Sequence, residues 1–452
     1  MDGLALFGTD GARGVANQTL TVGLAMDIAR GAARELGRPA RVLIGRDTRV
    51  SGPMLESALA AGLTESGIDV MLAGMVPTPA LAYLIGAMGA DAGIMISASH
   101  NPPEYNGIKL IDQQGRKWEP EVEARVEAAI QSGDWPRPDP ARVGRIFHYE
   151  EAAVAQYRRH LLSIFAGRIP AWPIVLDVAH GAASATAPQV FEALGVPVTV
   201  LHSEPLGELI NVRCGATHPE VLREAVLSRE ARLGLAFDGD ADRVIAVDGT
   251  GRIVDGDEIL YVLAMQLKAA GRLTGDRVVA TVMSNLGLER ALEQSGVGLE
   301  RTPVGDRWVA KAMREQHAVL GGEQSGHVIL KEWTETGDGV LTGLALLAAV
   351  AEAGLSLEEA VSPVERYPQI LRNVRLEAPV SDWQVIPGLR EAVKDAEASL
   401  GAEGRVLIRP SGTEPLLRIM LEGRDVELTN QWAHRLETGV REALESAEAE
   451  MQ

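Results

Sequence analysis

An apolar run at residues 93–96 ends at Ser97-Ala98-Ser99, with His100-Asn101-Pro102-Pro103 directly behind it. A short run with β-branched members suits a buried strand, and paired prolines stop a ladder from continuing. The pattern predicts a strand that delivers the Ser99 hydroxyl to an exposed turn, where α/β folds place their chemistry. Lys109, ten positions on, is a cation within folding reach of that hydroxyl. A polar loop that merely ends a strand would read the same over this stretch alone.

Phe237-Asp238-Gly239-Asp240-Ala241-Asp242-Arg243 sets three carboxylates two residues apart. A backbone that turns around a cation brings such carboxylates together, and oxygen-only ligands suit Mg2+. With no cation they would repel one another, and Arg243 can share in neutralising them. An EF-hand loop starting at Asp238 would need glycine at position 243 and glutamate at 249, so Arg243 and Gly249 exclude it. A strand followed by Asp-x-Asp also superficially fits a phosphatase with an aspartate nucleophile. An acidic hairpin turn is the plainest alternative.

Three further segments add binding chemistry. Arg409-Pro410-Ser411-Gly412-Thr413-Glu414-Pro415, with Arg418 beyond it, combines hydroxyls, a glycine that admits close backbone approach, and two guanidiniums that match phosphate oxygens. Without the arginines it would be an ordinary turn. In Gly321-Gly322-Glu323-Gln324-Ser325-Gly326-His327, the residues Glu323, Ser325 and His327 fall on alternate positions. An extended backbone would face them one way, toward the hydroxyls of a sugar. Gly8-Thr9-Asp10-Gly11-Ala12-Arg13-Gly14 lacks the Gly-Lys-Ser/Thr ending of a P-loop, but it could set Arg13 beside a phosphate.

These segments need a large scaffold, and the chain supplies one. Its 452 residues, 46% hydrophobic and 23% charged, suit a globular protein of several domains. Aromatics make up only 4%, so aliphatic and alanine packing must fill the cores. A net charge of −19 argues against nucleic-acid and anionic-membrane partners. It also means that an anionic ligand needs a local cluster of Arg and Lys. Cys214 is the only cysteine, which rules out an intramolecular disulfide and argues against a cysteine zinc site. The first residues show no basic and apolar leader pattern, and the apolar stretch 340–351 is too short to span a bilayer. A soluble cytoplasmic protein is expected.

Strand-like and helix-like runs alternate through most of the chain, the rhythm of parallel sheets covered by helices. Strands are expected at 41–44, 69–72, 93–96 and 174–177, helices at 53–66 and 150–165, and a hairpin over 235–248. Further strands are expected at 278–283 and 318–321. Alternate prolines at 136, 138 and 140 mark a linker. After a break near 362–368, strands at 406–408 and 417–420 and a helix from about 428 form a smaller unit. The fold class is α/β: three similar mixed α/β domains at 1–148, 149–250 and 251–366, plus a smaller α+β domain at 367–452.

Taken in order, these segments resemble the α-D-phosphohexomutase superfamily over essentially the whole chain. Phe7 to Asn17, Pro303-Val304-Gly305-Asp306-Arg307, and Gln324 where other branches typically carry methionine, resemble its bacterial amino-sugar branch. The resemblance implies four domains around a central cleft and an isomerase that interconverts glucosamine 6-phosphate and glucosamine 1-phosphate for amino-sugar and cell-wall precursor synthesis. Ser99 would be the phosphorylated residue, making this a phosphoprotein. One Mg2+ would be held by Asp238, Asp240, Asp242 and a phosphoserine oxygen of Ser99. Lys109 would be a general acid/base if its pKa were lowered toward neutrality, with His100 and Arg13 in the catalytic set. Arg243 would lie close to the transferring phosphate. Glu323, Ser325 and His327 would contact the sugar, and Arg409, Ser411, Gly412, Thr413 and Arg418 the distant phosphate.

Glucosamine or glucose 1,6-bisphosphate would serve as intermediate and activator. The first phosphate would come from a kinase or from autophosphorylation, and a homodimer is possible. The partner would be a small-molecule phosphosugar substrate, with no nucleic acid and no membrane. A phosphomannomutase/phosphoglucomutase, the aspartyl phosphatase and a non-catalytic sugar-phosphate sensor are the alternatives. Two departures from the family pattern stand out. Pro103-Glu104-Tyr105 replaces a Tyr/Asp-containing stretch, and Ala241 stands where glycine is common, which strains the loop if positive φ is needed there.

Overall fold

The computed structural model describes residues 6–37, 40–376, 382–386, 388–410 and 416–451, with side chains as far as residue 443. The chain forms two compact units, Met1–Thr281 with Val297–Ser362, and Val282–Gly296 with Pro363–Gln452.

The first unit holds three sheets. The first has six strands in the spatial order Ala12–Val15, Tyr105–Ile111, Ala92–Ile96, Arg41–Arg46, Asp69–Met75 and Ile146–His148. Its first two pairings are antiparallel and the other three parallel. The second sheet runs Ile253–Val254, Val244–Asp248, Leu233–Phe237, Ile174–Asp177 and Val198–Leu201. The third runs Gly298–Thr302, Arg277–Thr281, Leu320–Gly322 and Val328–Leu330. Ala92–Ile96 and Leu233–Phe237 are buried at every position, so they read as continuous apolar runs rather than alternating ones.

In each sheet a central parallel strand turns back into an antiparallel partner. Ala92–Ile96 pairs with Tyr105–Ile111, Leu233–Phe237 with Val244–Asp248, and Leu320–Gly322 with Val328–Leu330. The three connections are the serine segment, the aspartate segment and the Glu323-to-His327 segment. Three motifs that are far apart in sequence thus occupy equivalent positions on three sheets.

The expected helices form at Gly52–Glu65 and Glu150–Phe165, and the apolar stretch becomes the almost wholly buried helix Gly339–Ala353. Residues 134–139 have no regular structure, and the strand Ile146–His148 follows them. No helix among the described residues is long and apolar enough to cross a membrane. The second unit carries an antiparallel sheet, Gln369–Arg375, Leu416–Gly423 and Gly404–Pro410, packed with the helices Leu389–Leu400 and Val426–Met451. Its core joins Val374, Leu389, Val393, Leu417, Ile419 and Leu436.

Candidate active site

The strand Ala92–Ile96 runs out at Ser97, whose Oγ donates to Asp47 Oδ2 at 2.7 Å and accepts the Ser99 N–H at 2.9 Å. These bonds set a tight turn with Ser99 at φ 51, in the left-handed region. Ser99 Oγ donates to Asp238 Oδ2 at 2.6 Å and lies 3.4 Å from His100 Nδ1. The sequence pattern predicts an exposed serine, yet Ser99 is 1% exposed. The aspartate loop of the second sheet covers it.

That loop turns at Ala241, which adopts φ 56 while its N–H donates to the Asp238 carbonyl at 3.0 Å. The strain anticipated for alanine here is therefore present. Asp238, Asp240 and Asp242 are buried, and each places an oxygen within 4.8 Å of the others. Asp240 Oδ2 accepts from Thr78 Oγ1 at 2.5 Å and from Lys109 Nζ at 2.8 Å. Among the described residues, nothing donates a hydrogen bond to Asp240 Oδ1 or Asp242 Oδ1. Buried carboxylate oxygens lacking donors, in an oxygen-only set, fit a hard divalent cation. Burial, then repulsion from Asp242 and Asp240, pushes the Asp238 carboxyl well above its ordinary range. Burial acts likewise on Asp242, but His327, Lys109 and Arg243 overcome it and hold that group below its ordinary value.

Cations surround these groups. Burial alone would lower the pKa of the Lys109 ammonium, but Asp10, Asp240 and Asp242 outweigh it and hold it above its ordinary value. The lowering that a base role requires is absent, because Lys109 sits among carboxylates. Arg13 pairs with Asp10 and donates to Asn101 Oδ1 at 3.0 Å. The Arg243 backbone N–H donates to Asp238 Oδ1 at 3.2 Å, and its Nε lies 3.8 Å from Asp242 Oδ1. Burial, then Arg243 and Arg13, push the His100 imidazole down to about 4, so it is neutral.

The third loop differs from the extended reading. Residues 323–327 form a tight turn, in which Glu323 N–H donates to the His327 carbonyl at 2.9 Å and Gly326 N–H to the Glu323 carbonyl at 3.0 Å. Gly326 takes φ 92 with the Val244 carbonyl against it, a place no Cβ could occupy. The three side chains consequently separate. Glu323 Oε1 accepts the Gly305 N–H at 3.1 Å, Ser325 Oγ is buried with no hydrogen-bond partner among the described residues, and His327 turns inward. His327 Nε2 accepts the Gly337 N–H at 2.9 Å, and Nδ1 lies 3.5 Å from Asp242 Oδ2. A nitrogen that accepts from backbone carries no proton, so the geometry favours the Nδ1–H tautomer.

Several residues essential to this arrangement escaped the sequence reading. Asp10 pairs with Lys117 and lies 3.3 Å from Lys109, while Lys117 also reaches Asp306 at 2.6 Å. Thr78, Arg49 and Asn211 hold the reactive loops. Asp10 stood beside Arg13 in a segment read for its arginine; Thr78, between two prolines, offered no signal.

In the second unit, Arg409 and Arg418 are direct partners across an antiparallel pair. Burial, then Arg418, lower the pKa of Arg409. Like charges directly opposite are destabilising and call for an anion between them. Ser411, Gly412 and Thr413 lie outside the described residues.

Buried carboxylates grouped for a cation, next to a serine and ringed by guanidiniums and an ammonium, mark a phosphoryl-transfer site. The chain belongs to the phosphoglucomutase/phosphomannomutase family. It matches alpha/beta/alpha domain I over residues 4–137, domain II over 155–251, domain III over 255–367 and the C-terminal domain over 371–438. It is 48% identical to a phosphoglucosamine mutase of Streptomyces avermitilis, covering 97% of this chain and 99% of that one. It is 46% identical to one from Mycolicibacterium vanbaalenii, covering 96% and 98%. The crystal structure of a phosphoglucomutase/phosphomannomutase family protein from Burkholderia thailandensis superposes with a TM-score of 0.81 at 25% identity, covering 99% of this chain and 98% of that one.

Proposed function

We propose that this chain interconverts glucosamine 6-phosphate and glucosamine 1-phosphate through a phosphorylated Ser99 and a sugar 1,6-bisphosphate. The observation that carries the reading is the Ser99 hydroxyl, buried 2.6 Å from Asp238 amid three carboxylates and a ring of cations. The amino-sugar preference rests on the relatives that bear the name phosphoglucosamine mutase.

Asp238, Asp240 and Asp242, with a phosphoserine oxygen of Ser99, would hold Mg2+, which when bound neutralises charge on the transferring phosphoryl group. The chain's own residues do the rest. Burial of Ser99 keeps water from the transferring group. Arg13, Arg243 and Lys109 supply positive charge around it, and His100 presents a neutral ring nitrogen 3.4 Å from the seryl oxygen. Glu323 and Ser325 would meet the sugar, with His327 fixing Asp242 from behind. Arg409 and Arg418, with Ser411, Gly412 and Thr413, would grip the phosphate that is not reacting.

The test is a substrate panel of glucosamine, glucose and mannose 6-phosphates, primed with glucose 1,6-bisphosphate and read by product identity. Glucosamine 6-phosphate should be preferred by roughly tenfold or more. Ser99→Ala should take up no acid-stable label. Full mutase activity in Ser99→Ala overturns the mechanism, and preference for mannose or glucose 6-phosphate overturns the specificity.

A further inference from the structure

The Ser99 loop is gripped at the same two carbonyls from two sides. Arg49 is fully buried, and each of its five N–H bonds finds a partner. Nε donates to Asp47 Oδ2 at 2.9 Å, and Nη1 to the carbonyls of Pro102 at 2.5 Å and Tyr105 at 2.7 Å. Nη2 donates to the carbonyls of Ser99 at 2.9 Å and Asn101 at 2.8 Å. From the other side Asn211 Nδ2 donates to the Ser99 carbonyl at 2.9 Å and the Asn101 carbonyl at 3.1 Å. A planar guanidinium and an amide thus share two carbonyls, and the four bonds fix the plane of the turn.

Asn211 bonds backbone carbonyls of the serine turn, and its surroundings show what the grip opposes. Ser99 at φ 51 and Ala241 at φ 56 are both in the left-handed region, so the serine turn and the carboxylate loop each carry a strained residue. Gly239, between two of the carboxylates, packs so closely that a Cβ there would lie 2.7 Å from the Ser99 carbonyl and 3.0 Å from Asn211 Nδ2. The grip, the serine turn and the carboxylate loop are therefore in direct contact.

We infer that Asn211 is a positioning residue for phosphoryl transfer: together with Arg49 it holds the strained Ser99 turn against the carboxylate loop, so that removing the Asn211 amide slows transfer at Ser99 without weakening the hold on the sugar phosphate. The inference rests on the phosphoserine reading above. Asn211 itself sits at φ 61, which glycine adopts freely and aspartate tolerates. Asn211→Gly deletes the grip without backbone strain. Asn211→Asp keeps the shape but points a carboxylate oxygen at two carbonyls.

The experiment follows single-turnover transfer from labelled phosphoenzyme to glucosamine 6-phosphate in wild type, both variants and Ser99→Ala, with melting temperature recorded for each. The expected result is a fall of roughly tenfold to a hundredfold in transfer rate for Asn211→Gly, larger for Asn211→Asp, with half-saturation changed by less than about twofold. A wild-type transfer rate in Asn211→Gly overturns the inference. So does a parallel loss of rate, half-saturation and melting temperature, the mark of a structural role alone. Label on Ser99→Ala equal to wild type would instead overturn the phosphoserine reading, which keeps the two failures distinct.

Discussion

Asp338 lies buried at the start of the helix Gly339–Ala353, behind the carboxylate loop, where the Gly339 N–H donates to the Ala241 carbonyl at 2.9 Å. Its Oδ1 accepts the Leu341 N–H at 2.9 Å, and its two oxygens lie 2.9 and 2.8 Å from the Tyr157 hydroxyl. Burial raises the carboxyl from 3.8 to about 6, with the Leu341, Tyr157 and Val340 hydrogen bonds pulling the other way. Burial, then the Asp338 charge, push the Tyr157 phenol well above its ordinary value, so it stays a donor. A carboxyl whose pKa is higher in the folded state binds its proton more tightly there. Its stabilising contribution is full below about pH 4 and is lost as pH rises through about 6. The gap corresponds to about 3 kcal/mol over the whole window, and about 1.4 kcal/mol between pH 5 and 7.5. Asp338→Asn keeps an oxygen for Leu341 and an amide beside Tyr157, but it never ionises. Urea unfolding of both proteins should therefore show the variant gaining about 1.4 kcal/mol on wild type as pH rises from 5 to 7.5. A difference that stays flat, or moves toward wild type, would refute the claim that burial dominates at this carboxyl.

Three other outcomes follow from single sites. Arg418→Ala should raise KM for the sugar phosphate by roughly tenfold to a hundredfold while labelling of Ser99 persists; because it also separates two opposed guanidiniums, its melting temperature should not fall. Ala241→Gly should stabilise the chain by about 0.5–1 kcal/mol by relieving a left-handed alanine, less the greater freedom of unfolded glycine, and an unchanged or lower melting temperature would contradict the strain. The Cys214 thiol, pushed up to about 12 by burial and then Asp177, should react with a thiol reagent at pH 8 roughly 1,000-fold more slowly than a free cysteine, becoming ordinary once urea unfolds the chain.

The sequence disclosed the parallel core because strands buried on both faces leave uninterrupted apolar runs. Residues 93–96 and 174–177 were legible for that reason, and the helix Glu150–Phe165 by its composition. Ile146–His148 was not, since a three-residue exposed edge strand behind prolines has no pattern of its own. The exposure of Ser99 was misread because what covers it, Asp238, lies on another sheet 139 residues away. A shared facing of Glu323, Ser325 and His327 does not form, because a period of two presumes extension, whereas Gly326 closes a turn.

What sequence hides most completely is recognition of backbone. Arg49 and Asn211 act on carbonyls, and a carbonyl has no letter of its own, so no spacing of side-chain types points from either residue to Ser99. The three hairpins make the same point at larger scale. Each motif is legible alone as an acidic, hydroxyl-bearing or glycine-rich turn, and each alone has an uneventful explanation. Their chemistry comes from equivalent placement on successive sheets, which sets Ser99 against Asp238 and His327 against Asp242. Because those contacts join separate sheets, a substitution that loosens sheet-to-sheet packing in the first unit disturbs the acidic constellation even when no charged residue is changed.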